Sequence, residues 1–442
     1  MKSAVSTETD SGRRLKELLE SNRRSCKGGV YSVCSAHPSV IEAAFHNDVA
    51  DHAIFCVEST SSQVNQDGGY TGKTPSEFST FIRSAASNAG FPSDKIVLGG
   101  DHLGPFPWRN QHASVAMEKA HQLVRACVLA GYQKIHLDTS MACADDPHDI
   151  PLDPHLISKR AAVLAEAAET AWQEMPEGSS PPMYVIGTEV PSPGGETAAG
   201  APPTVTTSDH VEQTLQSFRS AFAQRRLAGA WERVIALVVQ PGVEFGDDVV
   251  FPYDREKARG LCSALPIDLP IVYEAHSTDY QSAQSLREMV EDHFAILKVG
   301  PWLTFAFREA IFALGAMERE LHGGKKAIQL SEVRRALEDA MLRNPTHWRS
   351  YYHGDEAKQR FSRAYSYSDR CRYYWHEAEV QNEIARLFAN LEEKPLPATL
   401  VSQYLPFEYE AYRARSLSMR PRELVQHHIR AILHQYTKAC DG

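Results

Sequence analysis

Short apolar runs alternate with longer stretches of helical periodicity along the first three quarters of the chain. The runs are rich in β-branched residues, a pattern typical of strands that are covered on both faces, as in a parallel sheet. Eight such runs occur, at residues 29–34, 53–58, 95–100, 134–138, 183–188, 233–239, 270–274 and 295–299.

Helical periodicity is strongest at residues 113–130, 158–175 and 308–321. Eight alternations of strand and helix predict a closed (β/α)8 barrel (a TIM barrel) of the α/β class, with a doubly wound open sheet as the alternative. No Gly-x-Gly-x-x-Gly follows the first strand, which argues against an open sheet that binds a dinucleotide.

The pattern changes after about residue 330 to helices rich in Arg, Glu and aromatic residues. We therefore expect a polar N-terminal segment over residues 1–25, the barrel over residues 26–330, and a helical C-terminal extension over residues 331–442 that packs on the barrel. Two long Pro/Gly-rich loops, at 191–203 and 240–252, follow the fifth and sixth strands, where barrel proteins of this kind carry their chemistry.

The 442 residues include 46 Lys and Arg against 56 Asp and Glu, a net charge of −10. We do not expect such an acidic chain to bind nucleic acid or an anionic membrane over a broad surface, although a few local cations can hold a small anion. The eight cysteines form no C-x-x-C pair, which indicates reduced thiols in a cytoplasmic protein. Residues 1–24 are polar and no stretch of 18 apolar residues occurs, so neither a secretory signal nor a membrane span is expected.

Polar residues stand at the carboxyl ends of the predicted strands, which meet at one mouth in a barrel. In chain order they are His37, Glu58, Asp101, His102, His136, Asp138, Glu189, Gln240, Gly242, Glu274, His276 and Lys298. A divalent metal needs three or four nitrogen or oxygen ligands that converge from different strands. The candidate ligands are His102, Glu189, Gln240 and His276. Asp101, next to a candidate ligand, is suited to carrying a proton. A lone histidine is more often structural, and it is the repetition at strand ends that favours a site.

Four further residues keep more than one interpretation. His136 either belongs to the site or is simply hydrogen-bonded inside the barrel. Lys298 could form a Schiff base in a metal-free aldolase, bind phosphate or have a structural role, and the histidine-rich mouth favours metal chemistry. Arg370 and Arg372 are either solvated helix charges or a phosphate clamp beside Ser368.

Ten segments along the chain can be compared with known families. They are VCSAHPSVIEAA, SSQVNQDGGYTGKTP, LGGDHLGPFPW, KIHLDTSM, GTEVPSPGGE, VVQPGVEF, VYEAHSTDYQ, HFAILKVGPWLTFAFREAIFAL, SYSDRCRYYW and VSQYLP. These segments resemble the GatZ/KbaZ family, over a range from about residue 29 to about residue 433. The resemblance implies a barrel related to the class II, zinc-dependent aldolases, with a place in galactitol and tagatose catabolism.

The resemblance implies one of two activities. Some members of the family are accessory subunits of tagatose-1,6-bisphosphate aldolase, and others act alone as D-tagatose 6-phosphate 4-epimerases. Similar proteins are also called tagatose 6-phosphate kinases. The chain has no Gly-x-x-x-x-Gly-Lys-Ser/Thr loop and no kinase signature set, which argues against a kinase.

The resemblance also suggests roles for single residues. In the class II aldolases an Asp-His pair ends a strand, with the His on zinc and the Asp as proton carrier, and Asp101 with His102 matches it. His276 looks like another zinc ligand, and Glu189 with residues 194–196 (GGE) resembles the acidic loop. Gln240 stands where the aldolases have a further ligand histidine, which implies an altered ligand set.

The leading hypothesis is a metal-dependent 4-epimerase that converts D-tagatose 6-phosphate to D-fructose 6-phosphate by cleaving and re-forming the C3–C4 bond. The alternative is a non-catalytic subunit that supports tagatose-1,6-bisphosphate aldolase. The expected partners are a phosphorylated ketohexose and either a class II aldolase subunit or further copies of the chain. The cofactor is a divalent metal such as zinc or manganese, with no nicotinamide. The assigned residues are Asp101 and Glu189 for acid–base catalysis, Asp138, Gly242, Lys298, Arg370 and Arg372 for substrate, and His102, Gln240 and His276 for the metal.

Overall fold

Eight parallel strands close into a barrel in this computed structural model, which describes residues 11–47, 54–189, 202–267 and 269–441. The barrel strands are β1 (Val30–Cys34), β2 (Phe55–Thr60), β3 (Ile96–Leu103), β4 (Lys134–Leu137), β5 (Met183–Ile186), β6 (Val234–Val239), β9 (Val272–Ala275) and β10 (Ile296–Val299). Their order around the barrel is β1-β10-β9-β6-β5-β4-β3-β2, so each strand lies beside the next barrel strand in the chain. The predicted (β/α)8 barrel is confirmed.

Each of the eight predicted runs contains or overlaps one barrel strand, because these strands are buried on both faces. All six residues of β6 are buried, for example. The helices are α1 (Ser11–Ser25), α2 (Pro38–His46), α3 (Pro75–Asn88), α4 (Ala113–Leu129), α5 (Pro154–Gln173), α6 (Ser208–Gln224), α7 (Ala228–Trp231), α8 (Arg255–Cys262), α9 (Ala283–Glu291), α10 (Pro301–His322), α11 (Val333–Arg343), α12 (Glu356–Tyr365), α13 (Ala378–Leu391), α14 (Ala398–Tyr404), α15 (Pro406–Arg413) and α16 (Pro421–Asp441). No helix among the described residues is both long enough and apolar enough to span a bilayer.

The N-terminal segment differs from the polar stretch expected over residues 1–25. Residues 11–25 form α1, an amphipathic helix whose Leu15 and Leu19 are fully buried. These leucines belong to the same core cluster as Val97 of β3 and Val185 of β5. Two leucines at a spacing of four residues suffice to anchor a helix that is otherwise charged.

The C-terminal extension packs on the barrel through several of its elements. Its last helix, α16, packs against α10, α9 and α2 and also contacts β1, so the chain's last helix stands in the outer ring of helices. The extension also contacts a short antiparallel hairpin after β6, formed by β7 (Glu244–Phe245) and β8 (Val250–Phe251). There the Tyr367 N–H donates to the Asp247 carbonyl at 2.9 Å and the Ser362 hydroxyl donates to its carboxylate at 2.7 Å.

Candidate functional site

An irregularity at the end of β3 brings two consecutive polar side chains to one place. In a regular strand neighbouring side chains point to opposite faces. The register of β3 against β4 shifts between Gly100 and Leu103, and His102 has a φ of 47°. Asp101 and His102 are both buried, and both approach His276: Asp101 Oδ1 lies 3.9 Å from His276 Nε2, and the two imidazole centroids are 4.9 Å apart.

Three imidazoles meet beside Asp101. The centroid of the His136 ring lies 5.3 Å from that of His102 and 5.2 Å from that of His276. His136 Nδ1 is 2.9 Å from Asp101 Oδ1, and its buried Nε2 has no hydrogen-bond partner among the described residues. Of the two interpretations of His136, the structure supports membership of the site.

This donor set fits a divalent metal. One donor atom from each of Asp101, His136, Glu274 and His276 lies within 4.8 Å of all the others. Imidazole nitrogens and carboxylate oxygens are the donors that zinc and manganese accept. The unpartnered Nε2 of His136 is a buried polar atom that a bound cation would satisfy.

Two buried lysines neutralise the carboxylates below the mouth. Lys134 Nζ lies 2.7 Å from Glu58 Oε1 and 2.6 Å from Glu274 Oε2. Lys298 Nζ makes a short contact with Glu58 and lies 3.2 Å from Asp101 Oδ1. Glu58 fits because its neighbour is Gly99, where a Cβ would lie only 2.7 Å from Glu58 Cγ. We call this group the barrel cluster; its members are Glu58, Asp101, His102, Lys134, His136, Glu274, His276 and Lys298.

The charges of the barrel cluster fix its protonation states. Burial raises the pKa of Asp101, but the positive charges of His102, Lys298 and His276 outweigh burial and hold that pKa well below its usual range. Burial lowers the pKa of Lys298, but Asp101 and its other anionic neighbours raise it well above its usual range. Asp101 is thus ionised, as a proton acceptor must be, whereas a Schiff-base lysine requires a lowered pKa. This arrangement argues against Schiff-base chemistry at Lys298.

Asp138 orients His102 from behind. Its Oδ2 lies 2.8 Å from His102 Nδ1, and its Oδ1 accepts from the Ser140 hydroxyl at 2.6 Å. Burial raises the pKa of Asp138, but the hydrogen bond from His102 and that residue's charge lower it to about 2. Such a carboxylate fixes the orientation of an imidazole ligand. Asp138, which we expected to bind substrate, therefore contacts a histidine of the site instead.

Three residues predicted for the site lie together in a second group. Glu189 Oε2 accepts from the Thr206 hydroxyl at 2.5 Å, and its Oε1 lies 3.6 Å from His210 Nε2. Gln240 Oε1 accepts from the Gly242 N–H at 2.8 Å, which satisfies the amide oxygen predicted to bind metal. We call this group the loop cluster; its members are Glu189, Thr206, His210, Gln240 and Gly242. Residues 194–196, predicted to accompany Glu189, lie outside the described residues.

A cavity opens at the barrel cluster. From that cluster it is lined by Asp101, His102, His276 and Lys298. No member of the loop cluster is among the described residues that line it. The C-terminal extension contributes Arg372 and Tyr373 to the lining, and the Arg372 Nη2 donates to the Tyr373 hydroxyl at 3.0 Å. Arg370 lies outside the lining, buried with its guanidinium over the Tyr351 ring, because its backbone belongs to the packed interior of the extension.

Sequence reasoning did not assign several residues of this arrangement. Lys134, Glu58 and Glu274 carry charge within apolar strand runs, and that contrast was the available signal. Asp279 also lines the cavity and accepts from the Gly300 and Trp302 N–H groups at the start of α10. Burial raises its pKa to about 6. Nothing local in the sequence distinguishes Asp279 from an ordinary surface aspartate.

Comparison with known proteins places the chain in a family. The sequence model described as D-tagatose-1,6-bisphosphate aldolase subunit GatZ/KbaZ-like matches residues 15–441. The chain belongs to the GatZ/KbaZ-like family. The resemblance inferred from the ten segments is thereby confirmed.

One solved structure agrees closely with this chain in fold. A protein of Sinorhizobium meliloti 1021 described as a probable tagatose 6 phosphate kinase is 42% identical, with a TM-score of 0.84, over 93% of this chain and 100% of that one. A putative fructose-1,6-biphosphate aldolase of Coccidioides immitis is 12% identical, with a TM-score of 0.40, over 86% and 96% of the two chains. The YdjI aldolase of Escherichia coli K12 is 10% identical, with a TM-score of 0.40, over 85% and 96%. The last two likenesses are too weak to support an inference.

Proposed function

We propose that this GatZ/KbaZ-like protein is a metal-dependent D-tagatose 6-phosphate 4-epimerase that forms D-fructose 6-phosphate. The observation that supports it most is the barrel cluster: an ionised, buried Asp101 next to three imidazoles at the edge of a cavity. A protein that only supported a partner would have little use for charged groups buried in this way, since each must be compensated to remain stable.

The chemistry of the 4-position explains why an aldolase-like site suits this reaction. The ketose carbonyl is at C2, so the hydrogen on C4 is not acidic. Epimerisation without a redox cofactor breaks the C3–C4 bond, leaving its electron pair on the C2–C3 fragment as an enediolate while C4 becomes an aldehyde. The aldehyde turns over and the same bond re-forms on its other face, with no net oxidation or reduction.

The residues of the site can be given roles in this scheme. A divalent cation held by His136, His276 and Glu274 would supply stabilisation of the negative charge on the C2 and C3 oxygens. Asp101 accepts the C4 hydroxyl proton as the bond breaks and returns a proton when it re-forms. Lys298, charged and 3.2 Å from Asp101, adds positive charge where negative charge develops. Asp138 holds His102 in place.

Two other activities are less well supported. Gly72-Lys73-Thr74 is the nearest approach to a nucleotide-binding loop, but Asp67 stands where that loop needs its first glycine. Thr74 instead caps α3, and its hydroxyl accepts from the Glu77 N–H. The description of the family as an aldolase subunit keeps a supporting role as the second candidate.

A direct assay separates these candidates. The purified chain is incubated alone with tagatose 6-phosphate and Mn²⁺ or Zn²⁺, and fructose 6-phosphate is measured by a coupled enzyme. We expect conversion in both directions without ATP. Absence of conversion, combined with activation of a separate class II aldolase subunit, would replace the epimerase by the supporting role.

A further inference from the structure

A second cavity adjoins the one at the barrel cluster and differs from it in charge. It shares five lining residues with the first, so the two cavities are adjacent. The shared residues are Cys34, Gln63, Tyr70, Gly300 and Arg372. We call this second space the distal cavity. We propose that it binds the phosphate group of the sugar phosphate, a proposal that rests on the proposed function.

The charge of the distal cavity carries this inference. Lys73 and Arg372 line it, and no carboxylate is among the described residues that do so. That is unusual in a chain of net charge −10. Neither cation has a carboxylate within 4.0 Å in the described part of the chain; the Arg372 guanidinium donates instead to the carbonyls of Ser368 and Asp369. Cations in a cavity that make no direct ion pair with a carboxylate are suited to an anionic ligand.

A helix N-terminus opens on the same space. Ala36, His37 and Pro38, where α2 begins, line the distal cavity. No side chain caps α2 and its first turn holds no acidic residue, so its positive end is left for a ligand. By contrast, α10 begins beside the shared wall but is already capped by Asp279.

A buried polar group in the distal cavity has no partner. Both ring nitrogens of His37 are buried without a hydrogen-bond partner among the described residues, while the ring packs on Phe307 with centroids 4.3 Å apart. Burial lowers the pKa of His37 to about 4, so the imidazole is neutral and keeps one N–H. His37 therefore adds no positive charge to that of Lys73 and Arg372 in the distal cavity.

The two cavities match the two ends of the substrate. The reacting C3–C4 bond lies at the barrel cluster, and a phosphate on C6 is only two carbons away from C4. A phosphate in the distal cavity would orient the chain so that C4 faces Asp101. Arg372 lines both spaces and so stands between the reacting end and the phosphate end.

Binding measurements test the proposal separately from turnover. Titration calorimetry of the metal-loaded protein is carried out with tagatose 6-phosphate, with unphosphorylated tagatose and with inorganic phosphate. In Lys73→Met we expect the affinity for tagatose 6-phosphate to fall by about tenfold or more, the typical effect of losing a charge-assisted hydrogen bond. Affinity for tagatose should be unchanged, and Lys73→Arg should restore most of the loss.

Lys119→Met is the matched control. Lys119 is also half-buried, with its Nζ 5.8 Å from the Trp108 ring centroid, as Lys73 Nζ lies 5.6 Å from that of Phe81, but it lines neither cavity. Equal affinities of wild type and Lys73→Met for tagatose 6-phosphate would overturn the proposal, as would equal losses in both methionine variants. Lys73-dependent binding in a protein without epimerase activity would retain the phosphate site and reject the epimerase. Turnover of tagatose 6-phosphate that is insensitive to Lys73→Met would retain the epimerase and reject the phosphate site.

Discussion

The barrel cluster and the loop cluster are built from the same kinds of residue but in opposite ways. The barrel cluster stands on strands, is buried, and pairs each carboxylate with a lysine or histidine. The loop cluster lies on the connections after β5 and β6 and in the first turn of α6, and its Glu189 side chain is 40% exposed and accepts from a hydroxyl. The surroundings of Asp101 hold its pKa well below its usual range. Strands that exclude water hold the charges of the barrel cluster in fixed positions, whereas the Glu189 carboxylate remains partly exposed to water.

The strongest test of this difference between the two clusters is to neutralise one carboxylate in each. Asp101→Asn keeps the shape of the side chain but removes the base, so we expect kcat for epimerisation to fall by about 10²–10⁴-fold. Glu189→Gln should change kcat by less than about tenfold. Both are measured by the coupled assay, with circular dichroism to verify folding. If Glu189→Gln lost as much activity as Asp101→Asn, the loop cluster would have to reach the reacting atoms.

The metal content of variants tests the difference between the two clusters without measuring activity. Losing a supporting residue around a metal already lowers affinity by about 10–100-fold. We expect His276→Ala, which removes a ligand, to lose at least that much, and Gln240→Ala to keep wild-type metal content. Elemental analysis after dialysis against a weak chelator gives the metal per chain. Retention of the metal in His276→Ala with its loss in Gln240→Ala would move the metal site from the barrel cluster to the loop cluster.

Stability should show a smaller but distinct contrast. Lys134→Met removes one of the two lysines that contact both Glu58 and Glu274, which should lower the free energy of unfolding by about 3–5 kcal/mol. Thr206→Val in the loop cluster removes the hydroxyl that donates to the partly exposed Glu189 and should cost about 0.5–1.5 kcal/mol. Urea unfolding followed by circular dichroism measures both. A cost below that of Thr206→Val would mean that water reaches the carboxylates beneath the mouth.

The sequence predicted much of the fold and only part of the site. Strands and helices were predictable because burial on both faces leaves an apolar run and burial on one face leaves a helical period. Asp101, His102 and His276 were predictable from their positions at strand ends. Glu189 and Gln240 occupy equivalent positions, yet their side chains bond within the loops, and no local pattern records which way a loop side chain turns.

The role of the extension illustrates the same limit. Arg370 and Arg372 are two residues apart in one aromatic-rich segment, and the sequence pattern predicted the same role for both. Only the packing of the extension on the barrel decides that Arg372 lines the cavity while Arg370 is buried against Tyr351. The distal cavity is likewise lined by residues that are far apart in the chain, among them His37, Lys73, Thr304 and Arg372.

The sequence by itself determined the (β/α)8 barrel, the order of its strands and the Asp101-His102 pair at the end of β3. These follow from patterns of burial that are repeated locally along the chain. The tertiary structure alone decided that His136 completes a group of three imidazoles, that lysines balance the carboxylates beneath them, and that Glu189 stays apart. Those outcomes depend on which side chains meet across the barrel, and such distances are set by closure of the sheet rather than by neighbours in sequence.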